Sequence, residues 1–332
     1  MKLGLTLGYW MPDPWDPTDL VLEAERLGYD SVWTAEAYGS DCFSPLCWIG
    51  ARTQKIKLGT AIMQLSARTP ACAAMTALTI DHLSGGRLIL GIGASGPQVV
   101  EGWYGQPFPR PLERTREWMQ LFRAMVAREA PVEFAGRHYQ LPFPGGIGQG
   151  KPLKSIIKPL RKHIPVFIGA EGPKNIEQTT QIADGWLPLF MSPTRFDRFE
   201  DSLRQRGPNF EIAATVMCFP TDTVEEGLMR VKGILAFYIG GMGSKDDNFH
   251  KNLLGRLGFG DAAEEIQELF MADKRFEAMA AVPDDLADEI ALVGPREHMK
   301  ERLKQWKASP VTTLNVTTRD VDTLRFLAEE VL

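Results

Sequence analysis

Short apolar runs alternate with longer amphipathic segments along most of the chain, and the links between them are mostly short. Residues 2–7, 30–35, 56–63, 87–92, 166–168, 185–188, 212–219 and 312–316 read as eight strands. Helical segments are expected at about 16–27, 45–52, 70–83, 110–128, 174–183, 196–206, 223–238, 295–307 and 321–331. Their ends carry helix signals: Asp16-Pro17 opens the first, Gly28 closes it, and Thr223-x-x-Glu226 is a capping box. Strand followed by helix, repeated, specifies βα units on a parallel sheet. Eight such strands in 332 residues predict an α/β fold, a closed (β/α)8 TIM barrel with insertion segments. An open doubly wound sheet is the alternative, but no G-x-G-x-x-G follows the first strand.

The whole chain, 1–332, is expected to be a single barrel domain with insertions at about 130–163 and 241–290. In the first, EFAGRHYQL (133–141) resembles a hairpin centred on Ala135-Gly136, and 142–162 is rich in glycine, proline and lysine. In the second, a helical stretch covers roughly 248–281.

Two strands empty into the same turn pattern. LILGI runs into GASGPQ (93–98), and PVFI runs into GAEGPKN (169–175). In a barrel both turns lie at the carboxyl ends of the strands, where such enzymes place their chemistry. Glycine there admits close approach of backbone N–H groups to a ligand. In GAEGPKN the turn opens a helix, whose first amides lack partners, and Lys174 adds charge. Gly169, Ala170, Glu171, Gly172 and Lys174 are therefore candidates for a phosphate cradle; a plain tight turn is the other reading. The earlier copy has no lysine, so Gly93 and Ala94 are expected to present backbone to a flat ring or to close the mouth.

Other residues converge on that face. Trp10 and Met11 follow the first strand, Glu36 and Tyr38 the second, and Gln64, Ser66 and Arg68 the third; Trp186 and Leu187 lie in the sixth. Aromatic groups, neutral polar groups and one carboxylate suit a large planar ligand. A paired-carboxylate hydrolase is disfavoured, and HExxH, P-loop and GxSxG motifs are absent. The five histidines do not cluster, so no metal site is expected. In Asp81-His82-Leu83-Ser84-Gly85-Gly86-Arg87, at the opposite rim, Asp81 is expected to pair with Arg87 and clamp the turn.

Net charge is −5, which favours neither nucleic acid nor an anionic membrane. There is no 18-residue apolar run and no signal-peptide pattern at the N-terminus. The four cysteines, Cys42, Cys47, Cys72 and Cys218, form no C-x-x-C pair and read as buried thiols of a cytoplasmic protein.

TIDHLSGGRLILGIGAS, LGTAIMQLSARTP and IGAEGPKN with IADGW together resemble the bacterial luciferase-like superfamily over nearly the whole chain. YIGGMGSKDDNF and AVPDDLADEIALVGP are similar to an actinobacterial-type subgroup, the coenzyme F420-dependent oxidoreductases. The resemblance implies a TIM barrel with an insertion, a homodimer, and F420 or FMN at the carboxyl ends of the strands. It implies a non-proline cis peptide at Ala61-Ile62 on which the cofactor ring rests. It puts the cofactor phosphate on 169–174, Gln64 and Ser66 beside the ring or its tail, and Arg68 on a tail anion or in an internal pair. Several family members carry Asp-His after the second strand. Here Glu36 and Ala37 stand there, with Tyr38 next, so Glu36 and Tyr38 become the candidate catalytic proton handlers. Lys151, Lys154 and Lys158 are spaced to meet a polyanionic tail, or else form a solvated loop. The implied activity is hydride transfer between F420 and a small-molecule substrate. The alternatives are an FMN-dependent monooxygenase with a reductase partner and a non-catalytic F420-binding protein.

Overall fold

The computed structural model describes residues 1–242 and 248–332. In chain order its elements are β1 (Lys2–Gly8), α1 (Thr18–Leu27), β2 (Ser31–Thr34), α2 (Phe43–Gly50), β3 (Lys57–Thr60), β4 (Met63–Gln64), α3 (Pro70–Leu83), β5 (Leu88–Gly93), α4 (Pro97–Gly102), α5 (Pro111–Ala127), β6 (Phe134–Ala135), β7 (Gln140–Leu141), β8 (Val166–Ile168), α6 (Pro173–Ile182), β9 (Gly185–Trp186), α7 (Asp197–Leu203), β10 (Glu211–Pro220), α8 (Val224–Gly241), α9 (Phe249–Arg256), α10 (Gly260–Met271), α11 (Arg275–Ala280), α12 (Asp284–Glu289), β11 (Ala291–Gly294), α13 (Arg296–Ala308), β12 (Thr313–Thr317) and α14 (Val321–Val331). The parallel order β1-β2-β3-β5-β8-β9-β10-β12 returns to β1, so the barrel is closed. β4 continues β3 beyond a break and pairs with the upper end of β5.

The barrel interior is a packed core. Trp33, Ile89, Phe167, Leu187 and Ala213 meet there, with Ala61 and Ile62 lying on top. Trp33 and Phe167 approach with ring centroids 5.9 Å apart. Glycine makes room for them: a Cβ at Gly59 would lie 2.2 Å from the Trp33 ring, and one at Gly185 would lie 2.8 Å from Phe167. Outward-facing leucines, isoleucines and valines of the strands pack against the helices in a second, larger core.

β11 has no counterpart in the strands expected from sequence. Its origin lies in β10, which has ten residues. Of β10, β9 takes only Glu211 and Ile212, and β11 takes Met217–Pro220 further along. The extra strand thereby covers backbone groups that would otherwise form a bare edge. The hairpin β6–β7 forms, but its turn lies over 136–139 rather than at 135–136. The Glu117 carboxylate of α5 accepts from the amides of Arg137, His138 and Tyr139 and shapes that turn.

The rim away from the carboxyl ends differs from expectation. Asp81 does not pair with Arg87; it is buried against Arg161, whose Nη2 lies 2.7 Å away. Arg87 instead donates to the carbonyls of Gly50, Thr53, Ile56 and Ser84. The segment 151–162 crosses this same rim. The Lys158 carbonyl is 2.7 Å from His82 Nε2, and Lys154 Nζ reaches the Glu129 carbonyl beyond the end of α5. Lys154 and Lys158 therefore sit across the barrel from the mouth, and neither is placed to meet a ligand tail there. Asp184, from the IADGW run, accepts from the Val166 amide at 2.7 Å and from Arg123 at 2.6 Å. Burial works to raise its pKa, but these donors outweigh it and hold the carboxyl below its ordinary value.

Two of the four thiols are buried, Cys42 and Cys218, whereas Cys47 and Cys72 are exposed. No helix among the described residues is long and apolar enough to cross a membrane. Of the segment YIGGMGSKDDNF, residues 243–247 lie outside the described residues.

Candidate functional site

The floor of the mouth is the break between β3 and β4. The Ala61-Ile62 peptide is cis, as the resemblance implied. The Ile62 side chain reaches under β5 and β8: a Cβ at Gly93 would lie 2.5 Å from its Cδ1, and one at Gly169 would lie 3.1 Å from its Cγ2. The two G-A-x-G-P turns thus begin with glycine for one shared reason, the passage of Ile62 beneath both.

Glu36 is the buckle of this floor. Its amide donates to the Ile62 carbonyl at 3.2 Å. Its carboxylate accepts from the Gln64 amide at 2.9 Å, from Arg68 Nη1 at 2.5 Å and from the Cys42 amide at 3.2 Å. Arg68 also lies over the Phe43 ring, 4.8 Å from its centroid. Burial acts to lower the Arg68 pKa, but the Glu36 carboxylate overrides it and holds the guanidinium above its ordinary value. Of the two expectations for Arg68, the internal pair is the one realised.

Ile62 and Gln64, two residues apart on an extended segment, point to the same side. Gln64 is fully buried, and neither its Nε2 nor its Oε1 has a partner. A buried primary amide with both ends unpaired is unfavourable by a few kcal/mol, on the order of 1–3 for each group left without a partner. Ser66 and Ala94 line a small cavity with Leu65, Phe108, Pro111 and Arg114.

The GAEGPKN turn is tethered at four points. Gly169 N donates to the Ile92 carbonyl at 2.8 Å, Trp186 Nε1 to the Ala170 carbonyl at 2.7 Å, and Arg256 Nη2 to the Glu171 carbonyl at 2.8 Å. The fourth tether joins the Glu171 carboxylate to His250, whose Nδ1 is 2.8 Å from Oε1. α6 then starts at Pro173, which has no N–H, with no side-chain cap; the Asn175 amide donates to the Gly172 carbonyl at 2.9 Å, so the Lys174 amide is the first-turn donor left without a partner among the described residues, and a Cβ at Gly172 would meet nothing within 4 Å. Lys174 is exposed beside them, and Asn175 Oδ1 is buried without a partner.

Trp186 and Leu187 do not line the mouth. Trp186 packs on Phe199 in the helix layer, and Leu187 belongs to the interior core. Tyr38 is 52% exposed at the lip. Tyr9, Tyr238 and His250 were not legible as site residues. Tyr238 comes from the end of α8 and His250 from the inserted α9, more than sixty residues beyond Glu171 in sequence, and only tertiary packing brings them to the turn. Arg114 and Arg256 were missed for the same reason. Among the described residues no group of His, Cys, Asp and Glu side chains could hold a metal ion.

The sequence pattern of the luciferase-like monooxygenase family matches residues 11–313. A Mycobacterium tuberculosis protein named for coenzyme F420-dependent oxidoreductase activity is 47% identical over 340 aligned residues, covering 99% of this chain and 98% of that one. Among solved structures, the F420-dependent tetrahydromethanopterin reductase of Methanopyrus kandleri superposes with a TM-score of 0.78 at 23% identity, covering 99% of this chain and 98% of the other. An F420-dependent secondary alcohol dehydrogenase, solved with an F420–acetone adduct, gives 0.75 at 17% identity with the same coverage. At those identities the two structures speak for the fold. The pattern match and the mycobacterial relative place the chain further: it belongs to the luciferase-like monooxygenase family.

Proposed function

We propose that the protein is an oxidoreductase that exchanges hydride between coenzyme F420 and a small organic substrate at the mouth of the barrel. The observation that carries this reading is Gln64. Its buried, unpaired amide offers one donor and one acceptor beside a floor made by Ala61 and Ile62. The alternating N–H and C=O groups on the edge of a deazaflavin ring are a complement to that pair. Bound there, the coenzyme would supply a ring carbon that takes up or releases hydride.

The chain's own residues then have distinct tasks. Ala61 and Ile62 support the ring face, and Gly93 and Ala94 let the backbone close beside it. Ser66 lies at its margin. The turn Gly169, Ala170, Glu171 and Gly172 holds the phosphate on the amides of residues 170–172, together with the amide and ammonium of Lys174. Glu36 positions the floor, because its carboxylate is already engaged by Arg68 and two amides. Tyr38 remains available at the lip. The mycobacterial relative supports F420 over FMN.

Titration of the cofactor-free protein tests this. Fluorescence should report binding of F420 and not of FMN. Gln64→Leu should weaken F420 binding about tenfold or more while leaving the fold as stable or more so, since it removes unpaired buried groups. Selective FMN binding would redirect the reading to a monooxygenase. Binding of F420 without any substrate-dependent turnover would leave a coenzyme-binding protein. The reading also carries a homodimer in the cytoplasm. The exposed stripe Cys72, Met75 and Leu83 on α3 is a face a second copy could cover. Light scattering should give twice the chain mass of 37.0 kDa; a monomer would remove that part.

A further inference from the structure

The rim opposite the mouth carries a feature that the chemistry of the mouth does not use. Six of the nineteen large apolar side chains that stand exposed among the described residues fall within 143–160, only eighteen residues of chain. The same stretch, continued to 162, holds Lys151, Lys154, Lys158, Arg161 and Lys162 and no aspartate or glutamate. The net charge of −5 is a sum over the whole chain and conceals this local excess of positive charge.

Residues 153–162 form no helix, yet their backbone is pinned. The Leu153 carbonyl accepts from the Val132 amide at 2.9 Å and the Ser155 carbonyl from Arg128 Nε at 2.6 Å; the Lys158 carbonyl lies 2.7 Å from His82 Nε2. Arg161 pairs with buried Asp81 and donates to the Leu88 carbonyl, at the start of β5. Polar groups of the barrel thus hold the main chain from behind, and the apolar side chains are left facing water. Ile156 is 95% exposed and Leu153 68%, with Ile157 and Leu160 partly exposed beside them. A side chain that touches as little as Ile156 does nothing for the core. Leu153-Lys154, Ile157-Lys158 and Leu160-x-Lys162 each set an exposed lysine within two positions of an apolar residue. Arg161 is already neutralised by Asp81, so these lysines carry the charge of the patch.

We propose that this rim docks the protein on an anionic lipid surface. Leu153, Ile156, Ile157 and Leu160 enter the boundary between headgroups and acyl chains, while Lys154, Lys158 and Lys162 reach lipid phosphates and carboxylates on their aliphatic stems. Such contact is peripheral and asks for no spanning helix, in keeping with the described helices. The mouth lies at the other end of the barrel and stays open to solution, so the inference stands apart from the hydride-transfer reading. Charge and hydrophobicity together choose the occupant. A second copy seated symmetrically on the same face would set lysine against lysine. A nucleic acid would answer the lysines but leave four aliphatic side chains in water, since none of them stacks on a base. An anionic bilayer satisfies both kinds of group.

The test is co-sedimentation of the full chain with vesicles, pure phosphatidylcholine in one arm and phosphatidylcholine with about 30% phosphatidylserine in the other. The protein should pellet with the anionic vesicles only and be released as salt is raised. Changing Lys154, Lys158 and Lys162 together to glutamate should lower vesicle affinity about 100-fold or more, because each lysine near such a surface contributes about a fivefold factor. Ile156→Ser with Ile157→Ser, lysines intact, should weaken it about tenfold and keep the release by salt. All five positions face water, so both variants should melt with wild type and keep its mass in light scattering. The comparison of the two vesicle types in wild-type protein stands even if a variant misfolds. Equal pelleting with both vesicles, or with neither, overturns the proposal, and so does a folded triple-glutamate variant that still pellets. A fluorescent DNA duplex bound through the same lysines and indifferent to the isoleucine changes would assign the rim to nucleic acid instead. A changed mass in either folded variant would make it an interface between copies, which also overturns the lipid assignment.

Discussion

Replacing Glu36 with alanine is expected to remove about 3–5 kcal/mol of folding stability, the loss typical of a buried ion pair broken from one side. The Glu36 side chain is 3% exposed and that of Arg68 17%. With the carboxylate gone, the guanidinium keeps only Asp41, 3.9 Å away, and the Phe43 ring face. The amides of Gln64 and Cys42 lose their acceptor as well. Urea denaturation should show the drop directly. Glu36→Gln should fall between, because it retains an acceptor oxygen but not the charge. The double change Glu36→Leu with Arg68→Met should recover most of the loss, since two apolar side chains replace an ion pair whose desolvation was never free. Coenzyme binding should decline in Glu36→Ala through displacement of the floor. A Glu36→Ala protein as stable as wild type, impaired only in turnover, would return Glu36 to the proton-handling role that its place after β2 suggests.

The second large effect is expected at Gly91. A Cβ there would lie 1.7 Å from the Thr60 carbonyl oxygen and 2.7 Å from Leu187 Cδ1. Backbone cannot yield as a side-chain tip can. The Thr60 hydroxyl also donates to the Gly91 carbonyl at 2.7 Å and accepts from the Gly91 amide at 2.9 Å, so β3 and β5 are drawn together at this point. Gly91→Val must part them and disturb the Ala61-Ile62 floor immediately above. A loss of roughly 3 kcal/mol or more, at the upper end for overpacking, is the expected result. Gly96→Ala is the control. Its Cβ would approach nothing nearer than Gln98 Oε1 at 3.3 Å, and its φ of −109° suits any residue. That variant should melt within about 0.5 kcal/mol of wild type. Equal destabilisation of the two would mean that the close approach of Thr60 and Gly91 is not what holds this seam.

These two positions also show how far the chain can be read without its fold. Gly91 lies inside LILGIG, a continuous apolar run, which marks it as buried strand. Its obligation to be glycine comes from Thr60, on a strand that the sequence does not reveal to be its neighbour at that height. The eight barrel strands and most helices were legible because each is specified locally, by periodicity, proline, glycine and caps within ten or twenty residues. β11 was not, since four residues, ALVG, form a strand only because β10 overruns the barrel and leaves an edge to cover.

The same division runs through the site. The two glycine turns and Gln64 stand at strand ends, so alternation placed them at the mouth, whereas the Ala61-Ile62 break interrupts what reads as one strand over 56–63 and was implied by the family resemblance alone. Which charge meets which was decided by packing. Asp81 took Arg161 rather than Arg87, Glu36 took Arg68, and Trp186 turned outward to hold the Ala170 carbonyl. Lys154 and Lys158 share a loop with no local signal for either rim, and anchorage to His82 and Glu129 set them on the far one. His250 is the extreme case. Its partner lies seventy-nine residues earlier in the chain, and no pattern in the sequence joins them. Sequence by itself determined what is periodic or strand-terminal, because those signals act over a turn of helix or a pair of residues. Tertiary structure alone decided the pairing of charges and the packing of α9 against the GAEGPKN turn, because a partner hundreds of atoms away along the chain is selected only by the geometry of the closed barrel.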